Sequence, residues 1–198
     1  PAIALFSGTG SGKTITSLWR FKQNLTPNLL VIAPSKVIDQ WTGVIKSLIP
    51  DLYVVEFKKS HTVAKRTIQL QNDKTFPKCV VISLETIARY DGIENLIDDS
   101  WTVIVDESHR IKELGSKRNP VKVTHKVLEI GDKTPWKIIL TATPVQKEFG
   151  GYIDYYAQYK FLGHIDMTLE DFKQRYVKEK MLPLGNRRVP VIVGYTRM

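Results

Sequence analysis

The stretch Ser7-Gly8-Thr9-Gly10-Ser11-Gly12-Lys13-Thr14 constrains this chain more than any other. It lies between an apolar run, Ile3-Ala4-Leu5-Phe6, and a helical pattern from Ile15 to Gln23. Strand, glycine-rich turn and helix, in that order, make a phosphate-binding loop. Glycines let backbone N–H groups close around an anion. A helix opening near Gly12 adds the positive end of its dipole. In such a loop Lys13 reaches the β- and γ-phosphates of a nucleotide, and the Thr14 hydroxyl holds Mg²⁺. The strict pattern G-x-x-x-x-G-K-[ST] has glycine where this chain has Ser7.

Downstream, short apolar runs alternate with helical patterns. Strands are expected at Ile3–Phe6, Leu29–Ala33, Tyr53–Phe57, Val80–Ser83, Val103–Asp106 and Ile138–Thr141. Helices are expected at Lys13–Gln23, Val37–Leu48, Val63–Asn72, Glu85–Tyr90 and Pro120–Ile130. This order predicts an α/β fold, a mainly parallel sheet with helices on both faces. Such sheets bind ligands at the carboxyl ends of their strands. Beyond Thr143-Pro144 the character changes. Gly150-Gly151 breaks the chain, and an aromatic-rich segment runs from Tyr152 to Phe161. A helix candidate, Leu169–Lys178, a basic tail to Arg188 and a short strand, Val189–Val193, complete it. The expected division is a lobe over 1–149 and an extension over 150–198.

A second chemical motif ends the run Trp101-Thr102-Val103-Ile104-Val105, which is followed by Asp106-Glu107-Ser108-His109. A buried strand that delivers adjacent carboxylates to its end is costly unless something uses them. Nucleotide-bound Mg²⁺ is such a user: Asp106 would hold the metal and Glu107 would orient the attacking water. His109 stands where it could touch the γ-phosphate surroundings and relay their state. In Leu140-Thr141-Ala142-Thr143-Pro144, strand alternation would put Thr141 and Thr143 on one side, where they could link the carboxylates to another surface. Trp41 and Tyr152, Tyr155, Tyr156 and Tyr159 are expected to be packing residues. His61, His125 and His164 show no ligand-like spacing, so no structural zinc is expected.

Charge and cysteine content bound the setting. The formal net charge of +9 over 198 residues suits a polyanionic partner, although an anionic membrane surface would also fit. No apolar run approaches the roughly 20 residues needed to span a bilayer. The single cysteine, Cys79, beside Val80-Val81-Ile82, is expected in the core and excludes an internal disulfide framework. An intracellular setting is expected. The opening Pro1, so close to the loop, leads us to expect a piece of a longer protein.

Together these residues resemble helicase superfamily two, and within it the Swi/Snf-type DNA translocases. The loop resembles motif I. Leu30-Val31-Ile32-Ala33-Pro34-Ser35 with Gln40-Trp41 resembles motif Ia, and Val80-Val81-Ile82-Ser83-Leu84-Glu85-Thr86 resembles motif Ib. Asp106-Glu107-Ser108-His109 resembles motif II, and Leu140 to Gln146 resembles motif III. Phe161-Leu162-Gly163 and Phe172 to Tyr176 resemble the segment leading out of the first lobe. Ala142 stands where Swi/Snf members more often have glycine, and Lys147-Glu148 replaces an Asn-rich continuation. The resemblance implies a RecA-like first lobe that uses ATP and Mg²⁺ and acts on nucleic acid, by expectation DNA. It implies contacts from Pro34, Ser35, Lys36, Ser83, Glu85 and Thr86. Basic clusters at Lys58-Lys59, Lys65-Arg66, Lys117-Arg118 and Arg187-Arg188 could widen that track. It also implies a second RecA-like lobe that supplies arginine fingers, without which little turnover is expected. An RNA helicase or a restriction-system motor stays open. So does a switch or scaffold that binds nucleotide without processing it, against which Lys13, Asp106 and Glu107 argue.

Overall fold

The computed structural model describes residues 2–57, 65, 68, 77–112, 114–115, 121–145, 153–184 and 187–195. Six strands form one parallel sheet: β1 (Ile3–Phe6), β2 (Asn28–Ala33), β3 (Tyr53–Phe57), β4 (Lys78–Ser83), β5 (Trp101–Asp106) and β6 (Lys137–Thr141). Their spatial order is β1-β6-β5-β2-β4-β3. Each falls within two residues of its expected limits, because each is a nearly unbroken Val/Ile/Leu run between turn residues. The register places Phe6 beside Thr141 and Asp106 beside Leu140, so the loop after β1 and the acidic end of β5 emerge at the same edge.

Alternation along the strands builds two cores. Leu29, Val31, Val81, Ile104 and Leu140 face α1 (Lys13–Asn24) and α2 (Ile38–Leu48), which bury Leu18, Phe21, Trp41 and Ile45 against them. Cys79 is in this core, and burial raises its thiol pKa far above the usual range. Leu30, Ile32, Ile82, Val103, Val105 and Ile139 point the other way. They meet the one-turn α3 (Leu84–Ile87), α4 (Lys122–Gly131) and α5 (Ile153–Leu162). Helices thus cover both faces, as the strand–helix alternation predicts.

The differences are local. The helix expected at Glu85–Tyr90 is a single turn, started by the Ser83 side chain accepting from the Thr86 N–H. A separate 3₁₀ turn follows at Ile93–Leu96, after Gly92 with φ of 123°. The helix expected at Val63–Asn72 lies, apart from positions 65 and 68, outside the described residues. So do Lys58-Lys59, Arg66, Lys117-Arg118, His61 and Tyr152. The aromatic segment is helical: Tyr156 is buried against Phe172, and Tyr155 stacks on Tyr159 with centroids 5.2 Å apart. Phe161 and Leu162 complete the core on that face, so the extension begins as part of the lobe's packing. α6 (Leu169–Tyr176) is capped by Thr168 and stops two residues before the expected Lys178. The basic tail is not irregular: β7 (Val177–Leu184) pairs antiparallel with β8 (Arg187–Tyr195). Only the Val/Ile-rich arm carries a strand signal, and its partner forms by hydrogen bonding to it. Among the described residues no helix is long and apolar enough to cross a membrane.

The α4–α5 crossing has no spare room. A Cβ at Gly131 would lie 2.6 Å from Cδ2 and 2.8 Å from Cε2 of the buried Phe161 ring. Gly131→Ala should therefore destabilise the lobe by about 1–3 kcal/mol through overpacking. Urea denaturation measures this, and an unchanged midpoint would refute the close approach.

Candidate nucleotide-binding site

The loop is shaped by backbone conformation. Gly10 and Gly12 have φ of 73° and 78°, a region open to glycine at little cost. A Cβ at Gly8, Gly10 or Gly12 would meet nothing within 4 Å, so the face of the loop is open. The Ser7 and Ser11 hydroxyls are 2.7 Å apart, and Ser11 Oγ donates to the Gly8 carbonyl at 2.8 Å. Ser7 thus supplies a cross-loop hydrogen bond where the strict motif has glycine. Lys13 Nζ donates to the Ser7 and Gly8 carbonyls, both at 2.7 Å, which folds the ammonium back over the loop. α1 starts at Lys13 with no side-chain cap and no acidic residue in its first turn. Its first N–H groups are therefore left for an anion. Thr14 is half-buried at this opening, and Thr9 is exposed at the tip.

Asp106 comes to the same place from β5. One carboxylate oxygen, Oδ2, accepts the Trp41 indole N–H at 2.9 Å, and Oδ1 accepts the Glu107 backbone N–H at 2.9 Å. Burial pushes this carboxyl above the usual range, and the charge of Glu107 acts in the same direction. The two hydrogen bonds and the nearby Lys13 ammonium oppose that rise. The electrostatic effect of Lys13 on Asp106 ties the loop to the acidic strand end. Two oxygen donors, Thr14 and Asp106, beside an anion-binding loop suit Mg²⁺, a hard ion that takes few protein ligands and keeps substrate phosphates and water.

Glu107 adopts φ 50° and ψ 51°, left-handed backbone that costs a non-glycine residue roughly 1–2 kcal/mol. This conformation turns its side chain toward β6. Oε2 lies 3.1 Å from His109 Nδ1 and 3.5 Å from Thr141 Oγ1, and His109 Nδ1 is 3.0 Å from Thr141 Oγ1. The carboxylate only accepts, so the imidazole N–H can hold it. Thr143 joins this cluster through its backbone: its N–H donates to Thr141 Oγ1 at 3.1 Å. β6 ends at Thr141, so strand alternation no longer governs Thr143, and its side chain is exposed.

One connection escaped the sequence. Ser108, fully buried, donates from Oγ to Gln158 Oε1 at 2.8 Å. The Gln158 amide donates to the carbonyls of Pro144, at 3.1 Å, and Asp154, at 3.0 Å. Gln158 is itself fully buried on α5. The acidic turn, the segment after β6 and α5 are therefore joined by one satisfied amide. The pattern signal was weak: a polar residue inside an aromatic-rich helix reads as its solvent side. Trp41 packs in the core as expected, and its bond to Asp106 is an addition, since a sequence cannot tell which acceptor an indole N–H meets.

The residues expected along nucleic acid fall into two groups. Ser35 and Lys36 are exposed on the 3₁₀ turn Ser35–Val37 after β2, with Pro34 as its first cap. Ser83 and Thr86 are buried, and their hydroxyls are bonded to each other at 2.9 Å. Partial burial works against the charge of Glu85, but backbone N–H groups and the Arg110 guanidinium outweigh it and hold the carboxyl below its usual range. Arg110 Nη2 donates to Glu85 Oε1 at 2.9 Å. Exposed Lys178, Lys180 and Arg188 lie on the β7–β8 hairpin.

Residues 3–183 match the model of the SNF2-related domain family. A comparison with curated proteins finds no match. Among solved structures, the Sulfolobus solfataricus SWI2/SNF2 ATPase core in complex with dsDNA is similar over 88% of this chain, at 21% identity and a TM-score of 0.66. The Sulfolobus solfataricus SWI2/SNF2 ATPase core domain gives 88%, 20% and 0.58. The chain spans about a third of those structures, 34% and 33%.

The Ser108–Gln158 bond makes a stability prediction. Gln158→Leu strands the buried Ser108 hydroxyl and should cost about 1–3 kcal/mol. Adding Ser108→Ala removes the stranded group and should recover part of that loss. Thermal melts of the single and double variants test this, and simple additivity would refute it.

Proposed function

The chain belongs to the SNF2-related domain family, and from that premise we propose that it is the ATP-binding lobe of an ATP-dependent DNA translocase. The observation that carries this reading is the meeting of a phosphate loop and two adjacent carboxylates at one sheet edge, with Lys13 acting on Asp106.

Each residue then has a task. Lys13 exchanges its Ser7 and Gly8 carbonyl partners for phosphate oxygens. The open N–H groups from Gly8 to Thr14 cradle the remaining phosphate charge. Thr14 and Asp106 would hold Mg²⁺, which would supply neutralising positive charge for the nucleotide phosphates. Glu107 accepts a hydrogen bond from the attacking water and polarises it, while His109 and Thr141 fix the carboxylate's direction. Through Thr141 the same cluster reaches Thr143, and through Ser108 it reaches α5. That gives the chemistry a route to the segment leading out of the lobe.

DNA is the proposed track because a relative in this fold family is described in complex with dsDNA. The exposed Ser35 and Lys36 with Pro34, and the backbone around the Ser83–Thr86 cap, suit phosphate contacts without sequence information. Glu85 serves this surface indirectly, by fixing Arg110. The other half of the cleft would come from a second RecA-like lobe. An arginine supplied across such a site is worth about 10³–10⁵ in turnover.

In the intact protein, Lys13→Ala should abolish nucleotide binding or turnover. Glu107→Gln should retain binding and lower turnover by about 10²–10⁴. Equilibrium binding and phosphate release measure both, and wild-type turnover in Glu107→Gln would remove that residue from its role. The 198-residue chain by itself should hydrolyse ATP slowly, with or without duplex DNA. Robust DNA-stimulated turnover would refute the need for a second lobe. Stimulation by RNA and not by duplex DNA would favour an RNA helicase.

A further inference from the structure

We infer that Trp41 is the positioning residue of the metal site: its indole N–H fixes the carboxylate of Asp106 in the orientation that receives Mg²⁺. The inference rests on the proposed metal role of Asp106 and extends it to a residue of α2.

The indole is a poor candidate for packing alone. Trp41 is 2% exposed, and a buried indole N–H needs an acceptor. Its acceptor, 2.9 Å away, is the side chain of the residue that ends β5, 65 positions along the chain. A carboxylate on a strand end is free to rotate about its Cβ–Cγ bond. Here both oxygens are engaged from different elements, Oδ2 by α2 and Oδ1 by the Glu107 backbone, so the plane is fixed. An ionised carboxylate has about four lone-pair sites. Two are taken by these N–H donors, and the others stay available for an ion or its water. Donors of this kind behind a ligating carboxylate raise its affinity and set its direction, and their loss typically costs about 10–100-fold in metal binding.

The test uses the intact protein and a non-hydrolysed ATP analogue, with Mg²⁺ titrated and binding followed by calorimetry. Trp41→Phe keeps an aromatic ring and removes the donor. It should raise the Mg²⁺ concentration for half-maximal coupling by about 10–100-fold, while metal-free analogue binding stays at the wild-type level. Replacing Trp41 with β-(3-benzothienyl)alanine, which keeps the indole's shape and lacks the N–H, should give the same shift without the volume change. Asp106→Asn should also raise the Mg²⁺ requirement, and adding Trp41→Phe to it should add nothing. Wild-type Mg²⁺ dependence in both Trp41 variants, with the requirement raised in Asp106→Asn, would overturn the inference alone. So would an equal loss of binding with and without metal, the mark of a packing role. Wild-type Mg²⁺ dependence in Asp106→Asn would overturn the metal role itself.

Discussion

The site depends on the compensation of one buried charge. Every residue of β5 before Asp106 is buried, and the carboxylate emerges where water is scarce. Burial by itself disfavours the charged form of such a group and raises its pKa. Three separate elements answer this: the Trp41 indole from α2, the Glu107 backbone N–H at the strand end, and the Lys13 ammonium from the first residue of α1, where the phosphate loop ends. Satisfying Asp106 therefore fixes the relative placement of α2, β5 and the phosphate loop. The packing of α1 and α2 on one core, with Trp41 and Leu18 in the same cluster, makes that placement rigid.

A second set of polar contacts runs away from the first. Glu107 turns by its left-handed backbone, so adjacent carboxylates on one chain point to different partners. Asp106 looks to α2, and Glu107 looks to His109 and Thr141. Between them Ser108 points into the protein and meets Gln158. On the proposed reading, consecutive residues thus divide three jobs: metal, water, and attachment to α5. An extended backbone would send the Glu107 side chain to the opposite face of the sheet from Asp106, whereas with the left-handed turn it meets His109 and Thr141. Strained residues of this kind persist only where their surroundings hold them, and here the buried Ser108 bond does so.

The sheet was legible because its physics is local. Uninterrupted apolar runs specify buried parallel strands, and the glycine-rich turn specifies a loop at their carboxyl edge. The family match over residues 3–183 agrees with the motif order read from Ser7 to Tyr176. What the sequence did not carry is pairing over long separations. Nothing in Gln40-Trp41 names Asp106 as the acceptor, and nothing in Ala157-Gln158 names Ser108. Thr143 departs from the expected alternation for a different reason: β6 ends at Thr141, the chain bends at Ala142, and the Thr143 side chain is exposed. The β7 arm was missed because Lys, Glu and Pro weaken its strand signal, and its partner supplies the pairing.

On the proposed reading, the Trp41–Asp106 bond lies between the nucleic-acid contacts and the metal site. Pro34, Ser35 and Lys36 open the segment that continues directly into α2, and Trp41 sits one turn inside that helix. The helix is held along its inner face by Ile38, Trp41 and Ile45. The indole in turn ends on the carboxylate that would hold the metal. On the proposed reading, the phosphate contacts at Ser35 and Lys36 and the metal ligand Asp106 are thus joined through one helix and one hydrogen bond. Any coupling between those two sites would be reciprocal by linkage.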